Sequence, residues 1–102
     1  MRLVVAVVKP AQVESLRQAL AAVHVTRLTL CDAQGFGPGP EDPLRQEVML
    51  QIAVNDDFVD RTVRTLAAAL EAGDAAGAAR VFVVPMEEAV QLYRAVRGPE
   101  AV

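Results

Sequence analysis

Backbone glycines and a few cations, not a nucleophile with its base, are what this chain offers for chemistry. Gly35-Phe36-Gly37 follows one apolar run, and Gly73 to Gly77 precedes another, with Arg80 at its entry. Two glycine turns at equivalent ends of two similar halves can gather backbone N–H groups into a concavity for an anion. Composition alone favours the plainer alternative, in which both are turns and nothing more. Catalytic groups are scarce: there is one His, one Cys and one Ser. His24 falls at the end of a helical segment, where a cation complements the helix dipole, and Cys31 falls in a strand as a small, half-buried apolar residue. The two are not at a metal-ligand spacing. Asp56, Asp57 and Asp60 suit a helix start better than acid–base work. An enzyme reading therefore has weak support, and no metal site is expected.

Composition narrows the class further. A chain of 102 residues reads as one domain, 1–102, with a modest core. Hydrophobic residues make up 53%, too many for a disordered chain, yet aromatics are only 4% and much of the rest is Ala and Val. A core of small side chains gains from burial against another subunit. A formal net charge of −3 favours neither nucleic acid nor an anionic membrane surface as partner. The apolar run Leu3–Val8 is too short for membrane insertion or a signal segment. A single cysteine allows no internal disulfide, and the expected location is the cytoplasm.

The elements that would position the glycines follow from periodicity. Leu3–Val8 is a β-branched run that suits a central strand, stopped by Lys9-Pro10. Val13, Leu16, Leu20 and Val23 line one face of a helix over 11–23. Val25–Asp32 alternates as a strand, and so does Val48–Val54. Between them, the Gly-Phe-Gly-Pro-Gly-Pro run predicts a loop over 34–46 that neither strand can enter. Asn55-Asp56-Asp57 opens a helix over about 58–72, with Val59, Val63, Leu66 and Leu70 on its buried face. Asp57–Arg61 and Asp60–Arg64 are spaced for ion pairs along it. A fourth strand, Val81–Val84, ends at Pro85, and a short helix over 86–94 and a frayed tail over 97–102 complete the chain. The order βαββαβ predicts a ferredoxin-like α+β fold, a four-stranded antiparallel sheet with both helices on one face. The other face, with Cys31, Met49 and Ala53 among its residues, is left for copies of the chain to cover.

Several segments together resemble the P-II signal-transduction proteins of bacterial nitrogen regulation. They are Val8-Lys9-Pro10, Ala21–Val25, Leu28-Thr29 through Gly35-Phe36-Gly37, Ile52–Asp56, Val59-Asp60-Arg61, Arg80–Val84 and Glu87–Val90. The resemblance implies a ferredoxin-like homotrimer that binds ATP or ADP between subunits and regulates a partner, a transporter or an enzyme, through a long loop after the Gly-Phe-Gly turn. It places Lys9, Thr29, Gly35, Phe36, Gly37, Gln51, Gly77 and Arg80 at the ligand. The chain departs from the family pattern where function resides. The loop is reduced to 38–47 and contains no Tyr or Ser to accept a uridylyl or phosphoryl group. The Arg-Gln-Lys stretch reads Pro38-Gly39-Pro40, a carboxylate in the third strand is replaced by Gln51, and Gly-Asp-Gly-Lys reads Gly77-Ala78-Ala79-Arg80. The arginine pair after the last strand falls on Gln91 and Tyr93, with Arg94 one step beyond.

Fewer cations hold fewer phosphates. The expected effectors are therefore AMP, ADP or bicarbonate in preference to magnesium-bound ATP. Alternatives are a trimeric interaction module that has lost its ligand and a trimeric metal-tolerance protein of the CutA type.

Overall fold

The computed structural model describes residues 1–73 and 80–102. Its first strand, β1 (Arg2–Val8), alternates buried Val4, Ala6 and Val8 with half-buried Leu3, Val5 and Val7. Pro10 ends it and opens a 3-10 turn (Pro10–Gln12), in which the Lys9 N–H donates to Gln12 Oε1 at 3.0 Å. Helix α1 (Val13–Ala22) buries Leu16 and Leu20 and lays Val13 and Val23 against the core, the face its spacing predicts. Two reciprocal bonds close its end. His24 N–H donates to Ala21 O at 3.0 Å and Val25 N–H to Leu20 O at 2.9 Å, with His24 left-handed at φ 67°. This is a Schellman closure, and the buried pair Leu20 and Val25 supplies its apolar contact.

Strands β2 (Thr29–Phe36) and β3 (Leu44–Val54), helix α2 (Asp56–Gly73) and strand β4 (Val81–Pro85) complete the expected ferredoxin-like order. The strands run β2-β3-β1-β4 across the sheet, every neighbour antiparallel. Register explains the core. Val4, Ala6 and Val8 oppose Ile52, Leu50 and Val48, and all six are buried on the face that α1 and α2 cover. Leu66 and Leu70 of α2 close that layer. Thr62, absent from the predicted buried face, is also fully buried, and its hydroxyl donates to Phe58 O one turn back at 2.8 Å.

Several expectations are corrected. The loop is shorter than 34–46 because the hairpin runs through it: Gln34, Gly35 and Phe36 pair with Gln46, Arg45 and Leu44. Gly35 is tolerated in the ladder because a side chain fills its missing volume. Glu47 Oε2 lies 2.5 Å from where a Cβ would stand. The helix over 86–94 is a miniature hairpin instead, β5 (Val90–Gln91) with β6 (Val96–Arg97). Ala89, Val90 and Tyr93 are too few apolar residues to fasten a helix, and Tyr93 stays 98% exposed. A Gly98 N–H bond to Ala89 O at 2.9 Å and an Arg97–Glu88 ion pair close the hairpin.

The tail expected to fray winds into a 3-10 turn (Gly98–Ala101), where Pro99 O accepts Asn55 Nδ2–H at 3.0 Å. Cys31 is exposed, not half-buried, because β2 is an edge strand. Asp60–Arg64 forms at 3.7 Å, but Arg61 lies over the Phe58 ring at 4.5 Å and donates to Val23 O at 3.4 Å instead of pairing with Asp57. Asn55 begins α2 through its carbonyl, which accepts Phe58 N–H at 2.9 Å, while Asp56 takes the Met1 ammonium at 2.7 Å. Gly77 and most of the second glycine turn lie outside the described residues.

Candidate functional site

The sequence-selected residues fall into two groups that a single copy keeps apart. Thr29 and Gln51 are direct cross-strand partners where β2 begins. Both point to the face of the sheet opposite the helices, since their neighbours Leu50 and Ile52 are buried on the helix side. They line a cavity of about 380 Å³ with Thr26, Arg27, Leu28, Ala53, Ala101 and Val102. A second cavity of about 320 Å³ adjoins it and shares Thr26, Arg27, Ala53 and Val102, adding His24, Asn55 and Phe58. Asn55 Oδ1 is buried there without a hydrogen-bond partner, its amide N–H₂ being committed to Pro99 O. The C-terminal turn thus forms a wall of both cavities, and Asn55 fixes that wall.

The other residues lie further along the sheet or on its opposite edge. Gly35 lies six residues further along β2 than Thr29, about 20 Å away at ~3.4 Å per residue. Lys9 follows the β1 terminus and Arg80 precedes β4, whose first residue, Val81, opposes Ala6. Both cations are exposed, and neither forms an ion pair among the described residues. Gly35 belongs to one edge strand and Arg80 adjoins the other, so three strand spacings, about 14 Å, separate those edges. Phe36 projects to the helix side of the sheet, away from Thr29 and Gly35, and is 75% exposed.

Charge around the glycines runs against a bound phosphate. Glu47 covers Gly35, and the Asp42 carboxylate occupies the position a Cβ would take at Gly37, with Arg45 Nη2 close by. Asp42 also braces the turn: its Oδ2 accepts Gly39 N–H at 2.9 Å, and its own N–H donates to Gly39 O at 3.1 Å. Two carboxylates beside the Gly35–Gly37 backbone repel an anion approaching from that side. The cavity at Thr29 carries no carboxylate side chain and has one guanidinium, Arg27, in its wall. Sequence reasoning passed over Arg27, Asn55 and the C-terminal turn because their meeting depends on how the tail returns across the sheet end. No group of three His, Cys, Asp or Glu side chains placed to hold a metal occurs among the described residues.

The face bearing Thr29 and Gln51 is broadly apolar. Leu3, Val5, Val7, Met49 and Ala53 share it with Phe82 and Val84, which are 54% and 43% exposed. No described helix is long and apolar enough to cross a membrane.

Comparison with known proteins is consistent along the chain. The family model for nitrogen regulatory protein P-II matches residues 1–95. The chain is 25% identical to the nitrogen regulatory protein GlnK1 of Methanosarcina mazei, with 100% of this chain and 97% of that protein aligned. It is 29% identical to the nitrogen regulatory protein P-II of Rhizobium etli (99% of each covered) and 26% to that of Azospirillum brasilense (100% of each covered). The GlnK1 alignment spans 114 positions against 102 residues here, so the aligned part of GlnK1 has twelve residues with no counterpart in this chain. With its fold, its Gly-Phe-Gly strand end and this match over nearly its whole length, the chain belongs to the P-II family of nitrogen regulatory proteins.

Proposed function

We propose that this P-II protein is a homotrimeric cytoplasmic sensor. It takes a small adenine nucleotide or an anion into a cleft between neighbouring copies, and it regulates a transporter or an enzyme without catalysing a reaction itself. The separation of the two residue groups carries the reading. Thr29 and Gln51 of one copy form a pocket with no cation but Arg27, while Lys9 lies beyond the far end of β1 and Arg80 beside the opposite edge strand, neither with an ion-pair partner among the described residues. A cleft that sets the first group of one copy against the second group of the next would supply both a base pocket and cations. The apolar open face offers the surface on which copies associate.

The same electrostatics favours ligands with few phosphates. A triphosphate brings about four negative charges, and the Glu47 and Asp42 carboxylates oppose it at the glycine turn. AMP, ADP and bicarbonate are therefore preferred over magnesium-bound ATP. Isothermal titration with ATP, ADP, AMP and bicarbonate, each with and without magnesium, tests this; tight magnesium-dependent ATP binding would overturn the preference. Light scattering tests the trimer. A second reading, an assembly module without ligand, draws on the same two carboxylates and predicts no heat with any of the four at millimolar concentration.

A further inference from the structure

Hydrogen-bond donors crowd the Thr29–Gln51 pocket, and no carboxylate side chain answers them. Thr26, Arg27, Thr29 and Gln51 stand in its wall, and neither it nor the adjoining cavity is lined by an Asp or a Glu. A guanidinium carries five N–H donors and no acceptor. Arg27 forms no ion pair among the described residues. Gln51 Nε2–H donates to a weak acceptor, Met49 Sδ, at 3.6 Å.

Arg27 also stands where the two cavities meet, since it belongs to the wall that they share. Beyond that wall one cavity adds Asn55 and Phe58, an amide and an aromatic ring that suit a base, and the other adds Thr29 and Gln51. A nucleotide spanning both passes Arg27 at mid-length, where its ribose lies between the base and the 5′-phosphate. The residue type at that place decides what the ribose carries. A free ribose hydroxyl has a proton to donate and suits a carboxylate, whereas a phosphate on that hydroxyl suits an arginine. This chain offers the arginine.

We infer that the ligand is an adenosine bisphosphate, with one phosphate on the 5′ oxygen and the other on a ribose hydroxyl, 2′ or 3′. Arg27 holds the ribose phosphate, with the Thr29 hydroxyl and the Gln51 amide as further donors. The inference rests on the reading of the protein as a sensor of a small adenine nucleotide between copies, and it names the member of that class. In such a cleft the 5′-phosphate falls to the Lys9 and Arg80 group of the neighbouring copy. Two separated phosphates then meet two separate cationic places, whereas a 5′ polyphosphate chain concentrates its charge on one.

Isothermal titration of the full chain with 5′-AMP, ADP, adenosine 3′,5′-bisphosphate and adenosine 2′,5′-bisphosphate provides the test. ADP carries as many phosphates as either bisphosphate, both at the 5′ position, so it controls for charge alone. One of the two bisphosphates is expected to bind about ten-fold more tightly than ADP, and which one identifies the hydroxyl. Arg27 is exposed, so Arg27→Gln leaves the core untouched, and it should erase that advantage. Gln51→Glu sets a carboxylate in the wall and should turn the preference towards ADP. Bisphosphates that bind no tighter than ADP, or an advantage unchanged in either variant, would overturn the inference. Binding of AMP or ADP without that advantage overturns the inference alone and leaves the sensor reading standing. No heat with any of the four ends the nucleotide reading and the inference together.

Discussion

The two faces of the same sheet are built from similar residues and have opposite fates. On the helix side, Val4, Ala6, Leu50 and Ile52 are at most 1% exposed, sealed by Leu16, Leu20, Leu66 and Leu70. On the open side, Val5, Val7, Met49 and Phe82 occupy the alternate positions of the same ladders and have no layer of described residues above them in one chain. Side-chain alternation places both sets, but only the helices decide which set the single chain can bury. The helix-covered face is thus a determinant of folding, and the open face is the proposed surface of assembly. A substitution on each should report on a different equilibrium.

The largest effect is expected on the covered face. Leu50→Ala removes a fully buried side chain from the middle of β3 and should cost about 2–5 kcal/mol, read as a lower urea midpoint. A loss below about 1 kcal/mol would mean the two helices are not packed tightly on that row. Phe82→Asp probes the other face. Phe82 is 54% exposed in the single chain, so a charge there should leave the helical circular dichroism of the chain intact. It should instead reduce the mass seen by light scattering to that of a monomer. If the variant keeps the wild-type mass, the open face is not where copies meet.

Arg27 sharpens the functional side of the comparison, because it stands in the wall of the Thr29–Gln51 pocket on the open face. Arg27→Gln should weaken AMP or ADP binding about ten-fold in isothermal titration while leaving the assembly mass unchanged. Unaltered affinity would remove Arg27 from the proposed site.

Much of this architecture was readable from residue types. The covered faces of α1 and α2 follow from Leu16, Leu20, Leu66 and Leu70 at helical spacing, and β1 from a β-branched run stopped by proline. What failed did so where pairing overrode local preference. Gly35 and Phe36 sit in a ladder because Arg45 and Leu44 oppose them and Glu47 fills the glycine's empty side, and neither fact is local to the Gly-Pro-rich segment. Residues 90–97 form a hairpin whose closure depends on Glu88, Ala89 and Gly98 coming together. Of the candidate site, the shared face of Thr29 and Gln51 was legible from strand alternation, and their place at a ligand only from the family resemblance. Arg27 and Asn55 were not, since only the return of Pro99–Val102 across the sheet end makes a cavity there.

A smaller effect, of opposite sign, is expected at the α1–β2 junction. His24 adopts φ 67°, a region that costs a residue with a Cβ roughly 1 kcal/mol and glycine almost nothing. His24→Gly should therefore stabilise the chain by about 0.5–1 kcal/mol, less the entropy that glycine adds to the unfolded state. A lowered urea midpoint would show that the imidazole makes a contact worth more than the strain.

The smallest effect is a surface one. Hydrogen bonding to the Met1 ammonium, and then its charge, hold the Asp56 carboxyl below its ordinary value, with Arg2 adding a weaker pull. A hydrogen bond from Arg17 does the same for Glu14. A carboxylate whose pKa is depressed by folding contributes stability above its unfolded pKa, about 4, and loses it as pH falls through the lower folded value. Both pairs are solvent-exposed and screened, so each contribution is slight. Urea midpoints of the wild type and of Asp56→Asn should accordingly lie close together at acid pH and separate slightly towards neutrality, the wild type higher. A gap that instead widened on acidification would mean that Asp56 is protonated more readily in the folded chain than in the unfolded one, which its contact with the ammonium opposes.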